Sequence, residues 1–439
     1  MVARLHPRKV PMTDSEIAAI GSEFGRHLRR YRTCFGQDRT AAHFDTYCRG
    51  LLSDLPRKSV EPVALASGTA VRTLQEFLTT AAWDHESARN LLQQHMAEVL
   101  AELPPDPLGT VGVIDETSCR KKGDQTPGVQ RQYLGCAGTV ENGIVTVHVG
   151  AAKGRFQALL DADLYLPRGW AEDRDRCRAA GIPDDVRYLP KWRIALDQLL
   201  RLDGNGVRFD WLTFDAGYGA AVPFLTALTL IRQKFVAEVP VSFAVRTTTD
   251  GASRRADAVV SAVAARQGKR FRLTRQTLRP QVWRAASVRV WVRGREYTLV
   301  AAINEATAEV KYFVTNTTTT PPARLLAVGF RRATIEHSFR IAKSEAGLAH
   351  YEGRQYVGLI RHLTLALVVL GFVSVHTDRL RGEKTAGDDG AGVPGAEREV
   401  RRPVPPPTRD AAAPAHGRGH SLPPASQRAG RQVPQETAA

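Results

Sequence analysis

The hydrophobic pattern of the first hundred residues is helical. Apolar residues recur at helical spacing in TDSEIAAIGSEFGRHLRRY, AVRTLQEFLTTAAW and ESARNLLQQHMAEVLAEL. Thr13, with Glu16 three residues further on, fits a capping box at the first helix start. The proline-rich ELPPDPLG then marks a boundary. The pattern therefore predicts a helical domain over residues 1–104.

From residue 111 the pattern becomes that of β-strands. The runs VGVIDE, VQRQYLGCAG and GIVTVHVGAA are separated by turn signals and are followed by a loop-rich stretch. A helix is predicted around WRIALDQLLRL, a strand at RFDWLTFDAG, a helix at AVPFLTALTLIRQ and a strand at KFVAEVP. Strands mixed with helices over residues 105–240 predict the first part of an α/β layer fold.

The remaining chain divides into three segments. Residues 241–314 contain β-rich runs such as FAVRT, RFRLT, SVRVWVRG and VKYFVTN, and we expect a β-rich insertion there. Helices resume near residue 322, so residues 315–376 are expected to complete the core. Residues 377–439 have nine prolines and no Phe, Trp or Tyr, which predicts a disordered tail.

Basic charge is concentrated in the central part of the chain. The net charge is +16, with +1 in residues 1–104, +2 in 377–439 and the remaining +13 in 105–376. An excess of this kind points to a polyanionic partner, most commonly nucleic acid. The alternative is a GC-rich genome that favours Arg codons.

Cysteine usage and hydropathy bear on location. The five cysteines are scattered and form no CxxC pair, which fits a reducing cytoplasm, and no signal peptide opens the chain. The uncharged apolar run at 363–375 has thirteen residues, too few to span a bilayer. We therefore expect a buried helix and no membrane association.

Three acidic residues stand in settings that suit a phosphodiester-cutting site. Asp115 follows VGVI and Asp215 follows WLTF, so each is expected at the end of a strand. Glu336 lies in RRATIEHSFRIAK, where the spacing predicts one helix face shared with basic residues, namely Arg332, Arg340 and Lys343. Taken singly, each Asp also fits a helix cap, and the helix face also fits solvated ion pairs.

Taken together, the three carboxylates favour metal chemistry. Mg²⁺ and Mn²⁺ prefer a few carboxylate oxygens and keep positions open for water and phosphate. Two such ions activate an attacking hydroxyl and stabilise the leaving oxygen of an in-line displacement. Nearby Arg and Lys side chains would hold the scissile phosphate.

Several long motifs also carry a family resemblance. The segments IDETSCRKKG, GVQRQYLG, DLYLPRGW, CRAAGIPDDVRY, LTFDAGYG and EHSFRIAKSEAGLAHYEGRQYVGLIRHLTLAL are similar to those of the DDE transposases of bacterial insertion sequences. The chain resembles the branch with a β-rich insertion before the Glu and a Tyr-Arg-Glu-Lys signature. The similarity covers roughly residues 20–376. It implies an α/β fold: an RNase H-like mixed sheet core flanked by helices, an inserted β-rich subdomain and an N-terminal helical domain.

The resemblance also implies roles for individual residues. Asp115, Asp215 and Glu336 would be the catalytic and metal-binding triad, holding two Mg²⁺ or Mn²⁺ ions. The predicted DNA contacts are the signature's Arg332 and Lys343, together with Arg340, Lys121 and Lys122. The substrate would be double-stranded DNA at the target and at the terminal inverted repeats, which the helical DNA-binding domain of residues 1–104 would help to bind. It would be acted on in the bacterial cytoplasm, at the nucleoid, by a homodimer. The implied reaction is nicking at the element end and then attack by the freed 3′-hydroxyl.

The chain departs from the signature at two aromatic positions. The signature Tyr corresponds to Gly329 here, and a Trp common before the Ile-Glu pair corresponds to Ala333. Two other functions therefore stay open. One is a catalytically decayed or domesticated DNA-binding relic, and the other is a metal-dependent nuclease without end specificity.

Overall fold

The computed structural model describes residues 14–273 and 281–386. Thr13 of the proposed capping box lies outside these residues. The N-terminal region is helical, as predicted. Its α-helices are α1 (Asp14–Arg29), α2 (Asp38–Leu52), α3 (Val60–Ala66), α4 (Val71–Thr79) and α5 (His85–Glu102).

A mixed sheet forms the centre of the protein. Its first six strands are β1 (Val111–Arg120), β2 (Gln130–Leu134), β3 (Thr139–Lys153), β4 (Phe156–Tyr165), β5 (Trp211–Phe214) and β6 (Phe235–Val239). The neighbours run in the order β4-β3-β1-β5-β6, and β2 pairs with the first part of β3. Strand β3 is antiparallel to β1 and β4, whereas β1, β5 and β6 are parallel. This is the RNase H-like core that the resemblance implied.

We predicted a loop-rich stretch after β3. The first part of that prediction was wrong, because Phe156–Tyr165 forms strand β4. Most of its residues are buried, so it lacks the alternation of a half-exposed strand. Further along lie α6 (Arg168–Glu172), α7 (Arg174–Ala179), α8 (Lys191–Gly204), α9 (Ala216–Gly219) and α10 (Val222–Leu230).

The β-rich insertion extends the core sheet. Its elements are β7 (Ala244–Val245), β8 (Arg254–Arg255), α11 (Ala256–Gln267), β9 (Lys269–Leu273), β10 (Gln281–Val292), β11 (Arg295–Asn304) and β12 (Val310–Thr315). Strand β12 is antiparallel to β6, so the order continues β6-β12-β11-β10-β9. Helix α11 was not predicted.

Three helices complete the described chain: α12 (Pro322–Phe330), α13 (Ala333–Glu345) and α14 (Tyr356–Ala386). By length and composition, residues Tyr356–Arg379 of α14 could cross a membrane, but 83% of their most apolar window is buried inside the protein. A buried helix was the expectation for this run. Helix α14 also continues past the expected boundary at residue 376, and the rest of the predicted disordered tail, 387–439, lies outside the described residues.

Helix α14 packs against the N-terminal helices in one continuous core. The buried Arg361 donates hydrogen bonds to the carbonyl oxygens of Phe77, Leu78 and Trp83, at 3.4, 3.2 and 3.0 Å. On the same helix, His362 Nδ1 lies 2.9 Å from the hydroxyl of Tyr47. These contacts fix the N-terminal helices against the helix that follows Glu336, so the two regions share one core.

Candidate active site

Asp115 and Asp215 lie side by side on neighbouring parallel strands. The last residue pair between β1 and β5 is Ile114 with Phe214, and each Asp is the next residue. We had expected Asp115 to lie at the end of a strand. That expectation was wrong, because β1 continues to Arg120 in its pairing with β3. Strand β5 ends at Phe214, so β1 has no β5 residue paired beside Asp115.

The Asp115 carboxyl is nearly buried, with 13% of its side chain exposed. Its Oδ1 accepts a hydrogen bond from the Glu116 amide at 2.8 Å, and its Oδ2 accepts one from Arg332 at 3.1 Å. Burial raises the pKa of Asp115 to about 7, against the opposing effect of Arg332 and with a further increase from Asp215. Burial therefore makes the charged form of Asp115 less favourable than it would be in water.

Asp215 is both a helix cap and a neighbour of Asp115. Its Oδ1 accepts hydrogen bonds from the amides of Gly217 at 2.9 Å and Tyr218 at 3.3 Å, at the start of α9. The cap function that we kept open for this residue is therefore present. Both bonds use one oxygen, and Oδ2 has no hydrogen-bond partner among the described residues, so it can bind another ligand.

Arg332 joins the carboxylates. It immediately precedes α13, and its guanidinium lies 3.1 Å from Asp115 Oδ2, 3.5 Å from Glu336 Oε1 and 3.9 Å from Glu238 Oε2. Burial by itself would lower the pKa of Arg332, but these carboxylates and Asp215 raise it. The guanidinium thus occupies the position between the acidic groups where positive charge is favoured.

The third residue of the predicted triad lies at the rim. Glu336 is in the first turn of α13, its side chain is 61% exposed, and its ion pair is with Arg332. The sequence reasoning missed Glu238 on β6, which also approaches Arg332 and accepts a hydrogen bond from Lys311 at 2.8 Å. The sequence feature that could have identified Glu238 is its position as the one acidic residue in the apolar run KFVAEVP.

The five predicted DNA contacts divide by position. Lys343 donates to the Ser118 carbonyl oxygen of β1 at 3.0 Å, so with Arg332 it lies beside the strand that carries Asp115. Arg340 is exposed and contacts His337 at 2.7 Å, and Lys122 is also exposed. Lys121 donates to the Tyr351 carbonyl oxygen, and burial lowers its pKa. Lys121 therefore points into the protein.

The donor chemistry of this site fits a hard divalent cation. Carboxylate oxygens are the ligands that such a cation prefers, and Asp115 and Asp215 lie on neighbouring strands. The pKa of Asp115 is raised mainly by burial and to a smaller extent by Asp215. In residues 14–273 and 281–386, no three His, Cys, Asp or Glu side chains lie close enough together to hold a metal ion. Arg332 instead bridges three carboxylates, those of Asp115, Glu336 and Glu238.

A mixed RNase H-like sheet with paired aspartates on its central parallel strands defines a class of nucleic-acid-processing proteins. A sequence model of the DDE superfamily endonucleases matches residues 30–299, more than half of the chain. The chain belongs to this family, which confirms the resemblance inferred from its motifs. The match includes Asp115 and Asp215 and ends before Glu336.

Two known proteins are similar to the chain to different degrees. The probable transposase for insertion sequence element IS701 from Microchaete diplosiphon is 31% identical over 212 residues, 48% of this chain. The chain spans about half the length of that relative, 51%. The crystal structure of the NurA nuclease from Sulfolobus solfataricus covers 69% of this chain and 93% of its own, at 10% identity and a TM-score of 0.25. That similarity is too weak to support a conclusion about fold or function.

Proposed function

We propose that the protein is a DNA transposase that cuts strands at the ends of an insertion sequence and joins them to target DNA. The observation that carries the proposal is the adjacency of Asp115 and Asp215 where β5 ends, with Arg332 linking Asp115 to Glu336. The transposase similar to this chain supports the assignment. The family match supports strand cleavage as its chemistry.

In this proposal Asp115, Asp215 and Glu336 hold two Mg²⁺ or Mn²⁺ ions. When bound, such ions activate the attacking water or 3′-hydroxyl and stabilise the leaving oxygen. Asp215 is suited to this role because the α9 amides fix its orientation through one oxygen. Asp115 is held by Arg332 and by the Glu116 amide, so its position is set before the substrate arrives.

The basic residues around the carboxylates would bind the DNA backbone. Arg332 would contact a phosphate through its planar guanidinium. Lys343 lies beside β1, and the exposed Arg340 and Lys122 extend the positive surface. We further propose that two copies pair the two element ends, and that the protein acts on the bacterial chromosome in the cytoplasm.

The test uses the full chain with duplexes made from the DNA that flanks this reading frame. Strand cleavage at one position, dependent on Mg²⁺ or Mn²⁺, followed by joining of the 3′-end to a second duplex, is the expected result. Binding of the duplex with no cleavage would instead identify a DNA-binding relic. Equal cleavage of unrelated duplexes would identify a nuclease without end specificity.

A further inference from the structure

A cluster of aromatic and basic side chains lies beside β1, on the face of the strand opposite to Asp115. It consists of Tyr165, Arg168, Tyr188 and Lys191, which we call the Tyr–Arg cluster. Lys191 Nζ lies 2.5 Å from Oε1 of Glu116, the residue after Asp115 on β1. Because consecutive side chains of a strand point to opposite faces, the cluster lies on the other face of β1 at the level of Asp115.

The rings and cations of the cluster are stacked on one another. The centroids of Tyr165 and Tyr188 are 6.2 Å apart, with the ring planes at 71°. The Arg168 guanidinium carbon lies 4.8 Å from the Tyr188 centroid, and Lys191 Nζ lies 5.5 Å from that of Tyr165. Both tyrosines are half-buried and Arg168 is exposed, so the surface is open to solvent on one side.

The charges of the two cations differ in how they are compensated. Lys191 is neutralised by Glu116. Arg168 forms no ion pair with a carboxylate in the part of the chain that the structure describes, and its guanidinium lies over the Tyr188 ring. An exposed, uncompensated guanidinium stacked on a half-exposed ring is suited to a planar, negatively charged ligand.

We propose that the Tyr–Arg cluster binds unpaired nucleotides of the DNA strand being cut, with a base against Tyr188 and a phosphate at Arg168. Aromatic side chains and Arg planes bind single-stranded nucleotides in this way with little sequence preference. The assignment of that strand to the cut DNA rests on the proposed function. The cluster itself requires only that the protein bind a nucleic acid with locally unpaired bases.

The test measures equilibrium binding in EDTA, so that no strand is cut. The probes are a synthetic duplex containing two adjacent unpaired thymines and a fully paired duplex of the same length. We expect the unmodified protein to prefer the unpaired probe by about fivefold or more, the lower range of one stacked base. Tyr188→Ala and the exposed Arg168→Gln should reduce this preference, whereas Tyr188→Phe should keep it because the ring remains.

Tyr133→Ala is the matched control, because this tyrosine is 63% exposed on β2 and lies outside the cluster. The proposal is overturned if Tyr188→Ala and Arg168→Gln both retain the full preference, or if Tyr133→Ala removes it equally. If the protein fails to cut flanking DNA in Mn²⁺ but its preference depends on Tyr188 and Arg168, only the proposed function fails. If it cuts such DNA and the preference is independent of both residues, only the nucleotide-binding proposal fails.

Discussion

Replacing Arg332 by Met should tighten the binding of Mn²⁺ while reducing DNA cleavage. The Arg332 guanidinium now lies between Asp115, Glu336 and Glu238, so a cation must compete with it for the same oxygens. Removing the guanidinium removes the competitor and leaves the carboxylates with uncompensated charge. Cleavage should nevertheless fall, because the proposed phosphate contact is lost with the same side chain.

The size of the effect follows from the Arg332–Asp115 contact. It is a charge-assisted hydrogen bond of 3.1 Å between side chains that are 25% and 13% exposed. Such a bond contributes about 1.5–3 kcal/mol. The longer contact with the exposed Glu336 adds little. A cation that no longer displaces Arg332 from Asp115 should therefore bind roughly 10- to 150-fold more tightly.

The assay is a titration of the protein with Mn²⁺, followed by calorimetry or by the electron paramagnetic resonance signal of the free ion. Arg331→Met is the matched control, because Arg331 is 21% exposed and donates to the Gly154 carbonyl oxygen at 2.8 Å, away from these carboxylates. The dissociation constant of Arg331→Met should equal that of the unmodified protein. An Arg332→Met variant that binds Mn²⁺ no more tightly than Arg331→Met would refute the reasoning.

Three further predictions concern stability. Gly329→Tyr should lower the free energy of unfolding by about 1–3 kcal/mol, because a Cβ at 329 already comes within 3.0 Å of the Phe313 ring; an unchanged midpoint in urea would contradict this. Burial lowers the pKa of His362 to about 4, below the 6.5 of an unfolded His, so the folded protein binds fewer protons and its stability falls as pH decreases through that window. His362→Gln should remove about 2 kcal/mol of this pH dependence between pH 7 and pH 5, measured by urea unfolding at the two pH values. An equally steep dependence in the variant would count against the prediction. Arg201→Met should lower the free energy of unfolding by about 3–5 kcal/mol, because it leaves the fully buried Asp161 without its ion-pair partner. Adding Asp161→Asn should restore much of this stability. A loss below about 1 kcal/mol would be inconsistent with the buried pair.

The two aspartates could be predicted from sequence because each follows an apolar strand-like run. Their adjacency could not be predicted from these runs alone. It depends on the pairing of Ile114 with Phe214 between two strands that are neighbours in the sheet but far apart in the sequence. The contacts of Arg332 could likewise be predicted only in part. Its helical spacing to Glu336 was readable, but its bond to Asp115 and its approach to Glu238 require the folded sheet.

The missed elements have local physical reasons. Strand β4 contains the buried Asp161, whose charge is neutralised by Arg201 from α8, and the partly buried Asp163. A sequence pattern cannot supply such a partner, so the stretch resembled a loop. Helix α11 is rich in Ala and Val and has little contrast between its faces, and it was therefore absorbed into the surrounding β-rich pattern.

The most direct test of the central claim is metal-dependent cleavage by variants of the three proposed ligands. Asp115→Asn, Asp215→Asn and Glu336→Gln keep the side-chain shape and remove the charge, with Glu238→Gln as the control acid that also approaches Arg332. With flanking DNA and Mn²⁺, we predict that each of the three variants binds the duplex but does not cut it, whereas Glu238→Gln still cuts. Near-normal cleavage by Glu336→Gln, together with loss of cleavage in Glu238→Gln, would contradict the assignment.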